Sequence, residues 1–176
     1  TVRRGPANDA LVHSMAAYSV VCYLWAIRDR HNGNIMIEEQ GHLIHIDFGF
    51  ILDIAPGGVK FETAPFKFTS EMLQVLGGRD SAAFAWFQEL CVQCFLAVRP
   101  YFPLLCRLVE QMCESGLPCF VGNPDKAIRN LKQRFRPDLG EWEARQLVED
   151  LVYQSCESVT TVLYDSYQHQ KNGIPY

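Results

Sequence analysis

Asp29, Arg30, His31 and Asn34 fall within six consecutive residues, and Asp47-Phe48-Gly49 begins thirteen residues after Asn34. These residue types can do polar chemistry together. One carboxylate and one amide oxygen, held side by side, suit a hard divalent cation. Magnesium takes oxygen ligands, usually one or two carboxylates completed by substrate phosphates. Asn34 and Asp47 are the candidate pair. Asp29, Arg30 and His31 add a candidate base and a cation in the same loop. A metal that neutralises phosphates, with a base for the attacking hydroxyl, is the layout of a phosphoryl-transfer site.

Bringing Asn34 to Asp47 requires a turn between them. Two β-like runs, Ile35-Met36-Ile37 and Leu43-Ile44-His45-Ile46, flank Glu38-Glu39-Gln40-Gly41-His42. A glycine-containing turn between branched apolar runs predicts a hairpin. Positions 34 and 47 are nearly equidistant from residues 40 and 41, so both belong at its open end. Alternation puts His45 on a strand beside Asp47, as a hydrogen-bonded structural histidine. His42 belongs in the solvated turn.

Ahead of the loop, Asn8 or Asp9 caps a predicted helix reaching about residue 27. After it, residues 50–68 contain Pro56, Gly57, Gly58 and Pro65 and read as a long loop. Helical spacing then predicts elements over residues 70–76, 81–98, 101–114, 124–135 and 141–170. The fold class is mainly α with one small β-hairpin.

The 176 residues carry 16 basic and 20 acidic side chains, a net charge of −4, and 48% are hydrophobic. That argues for a packed core and against a nucleic-acid binder, which carries a basic excess. No uninterrupted apolar run reaches the roughly 18 residues of a membrane span. The seven cysteines are odd in number. Cys91 and Cys94 form a lone pair at C-x-x-C spacing in an apolar helical run, without the second pair a structural zinc site requires. They read as reduced core cysteines.

Asp29-Arg30-His31-Asn32-Gly33-Asn34 with His45-Ile46-Asp47-Phe48-Gly49 resembles the phosphatidylinositol 3- and 4-kinases and their protein-kinase relatives. The resemblance covers nearly the whole chain. Pro56-Gly57-Gly58, Gly116-Leu117-Pro118-Cys119-Phe120 and Ile174-Pro175-Tyr176 resemble the type III alpha 4-kinases. It implies the carboxy-terminal lobe of a protein-kinase-like fold. The catalytic loop is 29–34, the metal motif 47–49, the activation loop 50–68 and the helical body 69–171.

ATP and magnesium are the implied cofactors. His31 is then the base towards an inositol hydroxyl, with Asp29 either polarising it or serving as the base itself. Asn34 and Asp47 hold magnesium, Phe48 and Gly49 orient the aspartate, and Gly33 keeps the loop tight. Arg30 counts with His31 and Asp29 among the catalytic residues, and braces the loop or meets a carboxylate rather than touching substrate. The C-terminal helix lies near the membrane face. An amino-terminal lobe, with a glycine-rich loop and an ATP-contacting lysine, is expected from a longer chain, together with an upstream helical region. Scaffold proteins and a cytosol-facing membrane such as the plasma membrane are the expected surroundings. A Ser/Thr protein kinase of the same superfamily and a non-catalytic helical module remain alternatives.

The charges of residues 50–68 are Asp53, Lys60, Glu62 and Lys67, which sum to zero. A headgroup bearing monoester phosphates needs clustered basic residues. An inositol carrying only its phosphodiester fits better, with Lys67 on the diester and Lys60 towards anionic lipid. Phe61, Phe66 and Phe68 either dip into a membrane interface or pack the loop onto the body.

Overall fold

The computed structural model describes residues 5–55, 64–158, 166, 169, 170, 173 and 174. The elements are α1 (Pro6–Trp25), β1 (Ile35–Ile37), β2 (Leu43–His45), α2 (Ser70–Val75), α3 (Ala82–Val98), α4 (Phe102–Gln111), α5 (Pro124–Arg134) and α6 (Glu141–Cys156). Short 3-10 turns occupy Asn32–Asn34, Arg99–Tyr101 and Pro118–Phe120. The expected class, mainly helical with one hairpin, is what is found.

Helix α1 starts earlier than Asn8 or Asp9, with Gly5 as its cap and Pro6 in its first turn. Proline has no N–H to waste there, and its fixed φ already suits a helix. The helix stops when Ala26 turns left-handed (φ 44°) and the Ile27 N–H bonds back to the Cys22 carbonyl at 3.0 Å. That long return bond satisfies a carbonyl the helix end would otherwise leave open.

Helix α1 packs on α3, α3 on α6, and α4 on α5. Val12, Phe87, Val92, Phe95, Leu131, Phe135 and Val152 are sealed from solvent between them. The stretch Ala82–Gln111 is long and apolar enough to pass for a membrane span, which the sequence reading did not expect. That reading asked for an unbroken apolar run, and Gln88, Glu89 and Gln93 interrupt it. In the fold, a 3-10 turn divides the stretch, and α3 buries Phe84, Phe87, Cys91, Val92 and Phe95 in the core. All seven cysteines are free. Burial pushes the Cys91 thiol far up, so it stays protonated and inert.

Two other expectations change. The predicted helix over 141–170 is interrupted: α6 ends at Cys156, Glu157 turns, Ser158 is not helical, and residues 166, 169 and 170 are helical again. Arg79 holds Glu157 at 3.0 Å from another part of the chain. Phe66 and Phe68 are 6% and 3% exposed, so they anchor the loop in the core and do not reach for an interface. Phe61 lies outside the described residues.

The hairpin is seated on α1. The Leu43 N–H donates to Ser14 Oγ at 2.9 Å. At the turn, Gly41 has φ 95°, and a Cβ there would lie 2.3 Å from the Ala7 carbonyl oxygen. Only glycine permits both the conformation and the approach. His45, 8% exposed, stacks on Tyr18 with ring centroids 4.2 Å apart and planes within 7°. Its Nδ1 lies 3.7 Å from Cys22 Sγ.

Burial, then the nearby Arg30 and Lys67 charges, lower the His45 pKa from 6.5 to about 4. Protonation of His45 therefore favours the unfolded chain. Its contribution is complete above about pH 6.5 and is lost progressively as pH falls towards 4, up to about 3 kcal/mol. Urea unfolding at pH 7 and pH 4.5 should show this loss, and His45→Gln should flatten that part of the profile. An unchanged profile in the variant would refute the assignment.

Candidate active site

The catalytic-loop candidates sit between the end of α1 and the hairpin. The Arg28 N–H donates to the Phe50 carbonyl at 2.8 Å, and the Leu52 N–H to the Trp25 carbonyl at 2.8 Å. These bonds lay the residues after Gly49 along the segment after α1. Asp29 (φ 63°) and Asp47 (φ 55°) both adopt the left-handed conformation. That conformation costs a non-glycine residue roughly 1–2 kcal/mol, and Asp tolerates it better than most. Neither is visible in the sequence.

Arg30 is 2% exposed. Its Nε donates to the Arg28 carbonyl at 3.0 Å, Nη1 to the Ile46 carbonyl at 2.8 Å, and Nη2 to the Asp47 carbonyl. Its guanidinium lies 5.6 Å from the Phe48 ring centroid. Arg30 thus ties the loop to the Asp47 segment through backbone carbonyls.

The hairpin register pairs Ile35 with His45 and Met36 with Ile44. The turn is therefore centred on Gln40. It sets Ile46, not Asp47, opposite Asn34, and the Ile46 N–H donates to the Asn34 carbonyl at 3.0 Å. Asp47 follows immediately. Asn34 is buried, and its amide nitrogen donates to the Asp29 carbonyl at 2.8 Å. That bond fixes which way the amide oxygen faces. Asp47 is exposed, with Oδ1 accepting from the Gly49 N–H at 3.2 Å. The donor set fits magnesium: one amide oxygen and one accessible carboxylate leave positions for phosphate oxygens. Among the described residues no cluster of three His, Cys, Asp or Glu forms an all-protein metal cage.

His31 Nε2 stands 3.9 Å from Asp29 Oδ1, both side chains being nearly buried. His31 Nδ1 is buried and has no hydrogen-bond partner among the described residues. A Cβ on Gly33 would lie 3.1 Å from the His31 ring and 3.4 Å from the Ile174 side chain. Gly33 thus makes room for the imidazole, and a residue near the C-terminus packs on the loop.

Lys67 Nζ donates to Asn32 Oδ1 at 2.7 Å, so the far end of the 50–68 segment touches the 29–34 loop. Lys60 lies outside the described residues. Asp53 pairs with Arg134 and accepts from Asn130 Nδ2 at 2.9 Å. Its charge therefore belongs to α5, not to a substrate site.

Sequence reasoning passed over Asn32 and the outer hairpin face. Met36, Ile44 and Ile46 are exposed by 52%, 38% and 39%. Strand alternation places them together, opposite the face bearing buried Leu43 and His45. Alternation could have revealed that face. Nothing in the sequence pointed to the bond between Asn32 and Lys67.

The brace predicts a measurable cost. Arg30→Met should destabilise the chain by about 3 kcal/mol or more, since it strips a buried donor from three carbonyls. Arg30→Lys should recover only part, because an ammonium cannot reproduce the planar fork. Urea midpoints of the two variants within error of the parent would refute this role.

The family model for phosphatidylinositol 3- and 4-kinase matches residues 5–122. Phosphatidylinositol 4-kinase stt4 of Schizosaccharomyces pombe is 54% identical over 97% of this chain and 9% of its own length. STT4 of Saccharomyces cerevisiae is 49% identical over 100% of this chain and 9% of its own. Phosphatidylinositol 4-kinase beta of Danio rerio is 46% identical over 96% and 20%. The chain spans a tenth to a fifth of the length of these relatives. With two thirds of its residues inside the family match, the chain belongs to the phosphatidylinositol 3- and 4-kinase family.

Proposed function

We propose that these residues supply the catalytic loop and metal motif of an ATP-dependent phosphatidylinositol 4-kinase of the alpha type. The observation that carries it is the junction of Asn34, Arg30 and the Asp47 segment. The hairpin register and the Arg30 guanidinium put one amide oxygen and one accessible carboxylate at a common end. The choice of the 4-hydroxyl rests on relatives named phosphatidylinositol 4-kinase.

Asn34 and Asp47 would hold magnesium, which when bound neutralises phosphate charge. The exposed apolar face of Met36, Ile44 and Ile46 suits the flat base of ATP. Asp29 near Nε2 favours a proton on that nitrogen, leaving the Nδ1 lone pair to accept the proton of the inositol hydroxyl. Nδ1 is sealed in this conformation, so a hydroxyl reaches it only once that packing opens. Lys67 meets the lipid phosphodiester, and Lys60 the anionic surface. Pairing of Asp53 with Arg134 leaves no basic cluster at the described ends of the activation loop, which favours an inositol without monoester phosphates.

The longer chain supplies an amino-terminal lobe, and the 176 residues alone turn over nothing measurable. It works from the cytosol at a membrane, recruited by scaffold proteins. In the full-length chain, Asp47→Asn or Asn34→Ala should lower kcat by about a hundredfold or more, since a catalytic metal contributes several kcal/mol. Labelled ATP offered with phosphatidylinositol vesicles should yield the 4-phosphate. Preference for a Ser/Thr peptide, a 3-phosphate product, or full turnover by either variant would defeat the reading.

A further inference from the structure

Arg28 bonds to both ends of the 50–68 segment. Its backbone N–H donates to the Phe50 carbonyl at 2.8 Å, and its guanidinium Nη1 to the Ala64 carbonyl at 3.0 Å. Each end is also fixed from elsewhere. At the entrance, Leu52 and Asp53 are both left-handed, with φ 55° and 73°. Leu52 is buried as well. A leucine at positive φ is an outlier that persists only where its surroundings over-determine it. Here the Leu52 N–H bonds to the Trp25 carbonyl, and Asp53 pairs with Arg134. At the exit, Phe66 and Phe68 are buried, and the Phe66 N–H reaches Ser155 Oγ at 3.4 Å. The entrance is thus tied to α5 and the exit to α6. Arg28 ties the two ends to each other, from the position just before Asp29.

We propose that Arg28 is a positioning residue: it clasps the two ends of the 50–68 segment, so that the segment meets the inositol lipid at a fixed reach from His31. This rests on that segment being the lipid-facing activation loop proposed above. The chemistry explains why arginine suits position 28. A guanidinium is planar and keeps its proton, so its donors point in set directions whatever the pH. Its bond to a carbonyl is charge-assisted and stronger than one between neutral groups. Holding both ends of a loop together narrows the conformations open to the residues between them. Arg28 also lies three residues before His31, so the clasp and the candidate base share one short stretch of backbone.

The test uses the full-length kinase. KM and kcat are measured for phosphatidylinositol in neutral detergent and for ATP, and hydrogen exchange is followed in peptides covering residues 50–68. Arg28→Met should raise the lipid KM about tenfold, the effect of one charge-assisted contact. The ATP KM should stay within about twofold. Arg28→Lys still offers a charged donor to the Ala64 carbonyl and should bring the lipid KM back to within about threefold of the parent. Exchange over 50–68 should quicken about tenfold in Arg28→Met, while peptides from α3 stay as they were. The ratio of lipid KM between Arg28→Met and the parent should be the same at about 50 and 300 mM salt, because a bond to a part-buried backbone carbonyl is little screened.

Unchanged exchange over 50–68 in Arg28→Met would mean that the clasp holds nothing, and would overturn the proposal. So would a KM ratio that collapses at high salt, since Arg28 would then meet the lipid phosphate directly. Equal losses for lipid and ATP would also overturn it, since Arg28 would then merely support the fold. Lys60→Glu, assayed on vesicles with phosphatidylserine, tells a failed clasp from a misplaced loop. If Lys60→Glu raises the lipid KM and Arg28→Met does not, the loop meets lipid and the clasp is wrong. If neither variant moves the lipid KM, the loop does not face the lipid, and the role of Arg28 falls with it.

Discussion

A buried guanidinium joins the two halves of the site. Arg30 carries its charge into a place where water is excluded, and there it donates to the carbonyls of Arg28, Ile46 and Asp47. Removing such a charge from water is expensive, by several kcal/mol even after relaxation, so it persists only when its donors are well used. Carbonyl oxygens from both sides of the hairpin's open end meet that need. The consequence is mechanical. The loop bearing Asp29 and His31 cannot shift relative to the segment bearing Asp47 without stranding a buried cation.

That constraint makes the local strain tolerable. Asp29 and Asp47 both sit at positive φ, a conformation the free chain would leave. Backbone bonds on either side, from Arg28 to Phe50 and from Leu52 to Trp25, over-determine the path between them. Left-handed turns redirect the chain within one residue, at one position on each side of the Arg30 brace. Strained residues at such a place are expected where geometry matters more than local comfort.

Much of this was legible. Antiparallel pairing is arithmetic, so the spacing from Asn34 to Asp47 announced the hairpin, and the register was off by one residue because the turn centres on Gln40. The apolar periodicity of α3 and α5 gave their bounds closely. What stayed hidden had no periodic signal. A charged residue in a polar loop looks solvated whether or not it is buried, as Arg30 is. Phe66 and Phe68 have the same composition in a membrane-dipping loop as in an anchored one, and only packing decides. The apolar spacing of 141–170 continues past Cys156, so periodicity could not show where α6 ends.

The charge balance ends up with a structural meaning. Six described basic side chains are engaged by the chain's own groups: Arg134 with Asp53, Lys132 with Glu110, Arg145 with Glu89, Arg136 with Asp138, Arg79 with Glu157, and Arg99 with the carbonyls of Phe135, Arg136 and Leu139. The exposed pairs among these each stabilise little. Together, however, they commit much of the chain's positive charge to its own acidic groups and carbonyls. Lys67 differs in reaching the 29–34 loop, where its ammonium donates to the Asn32 amide oxygen.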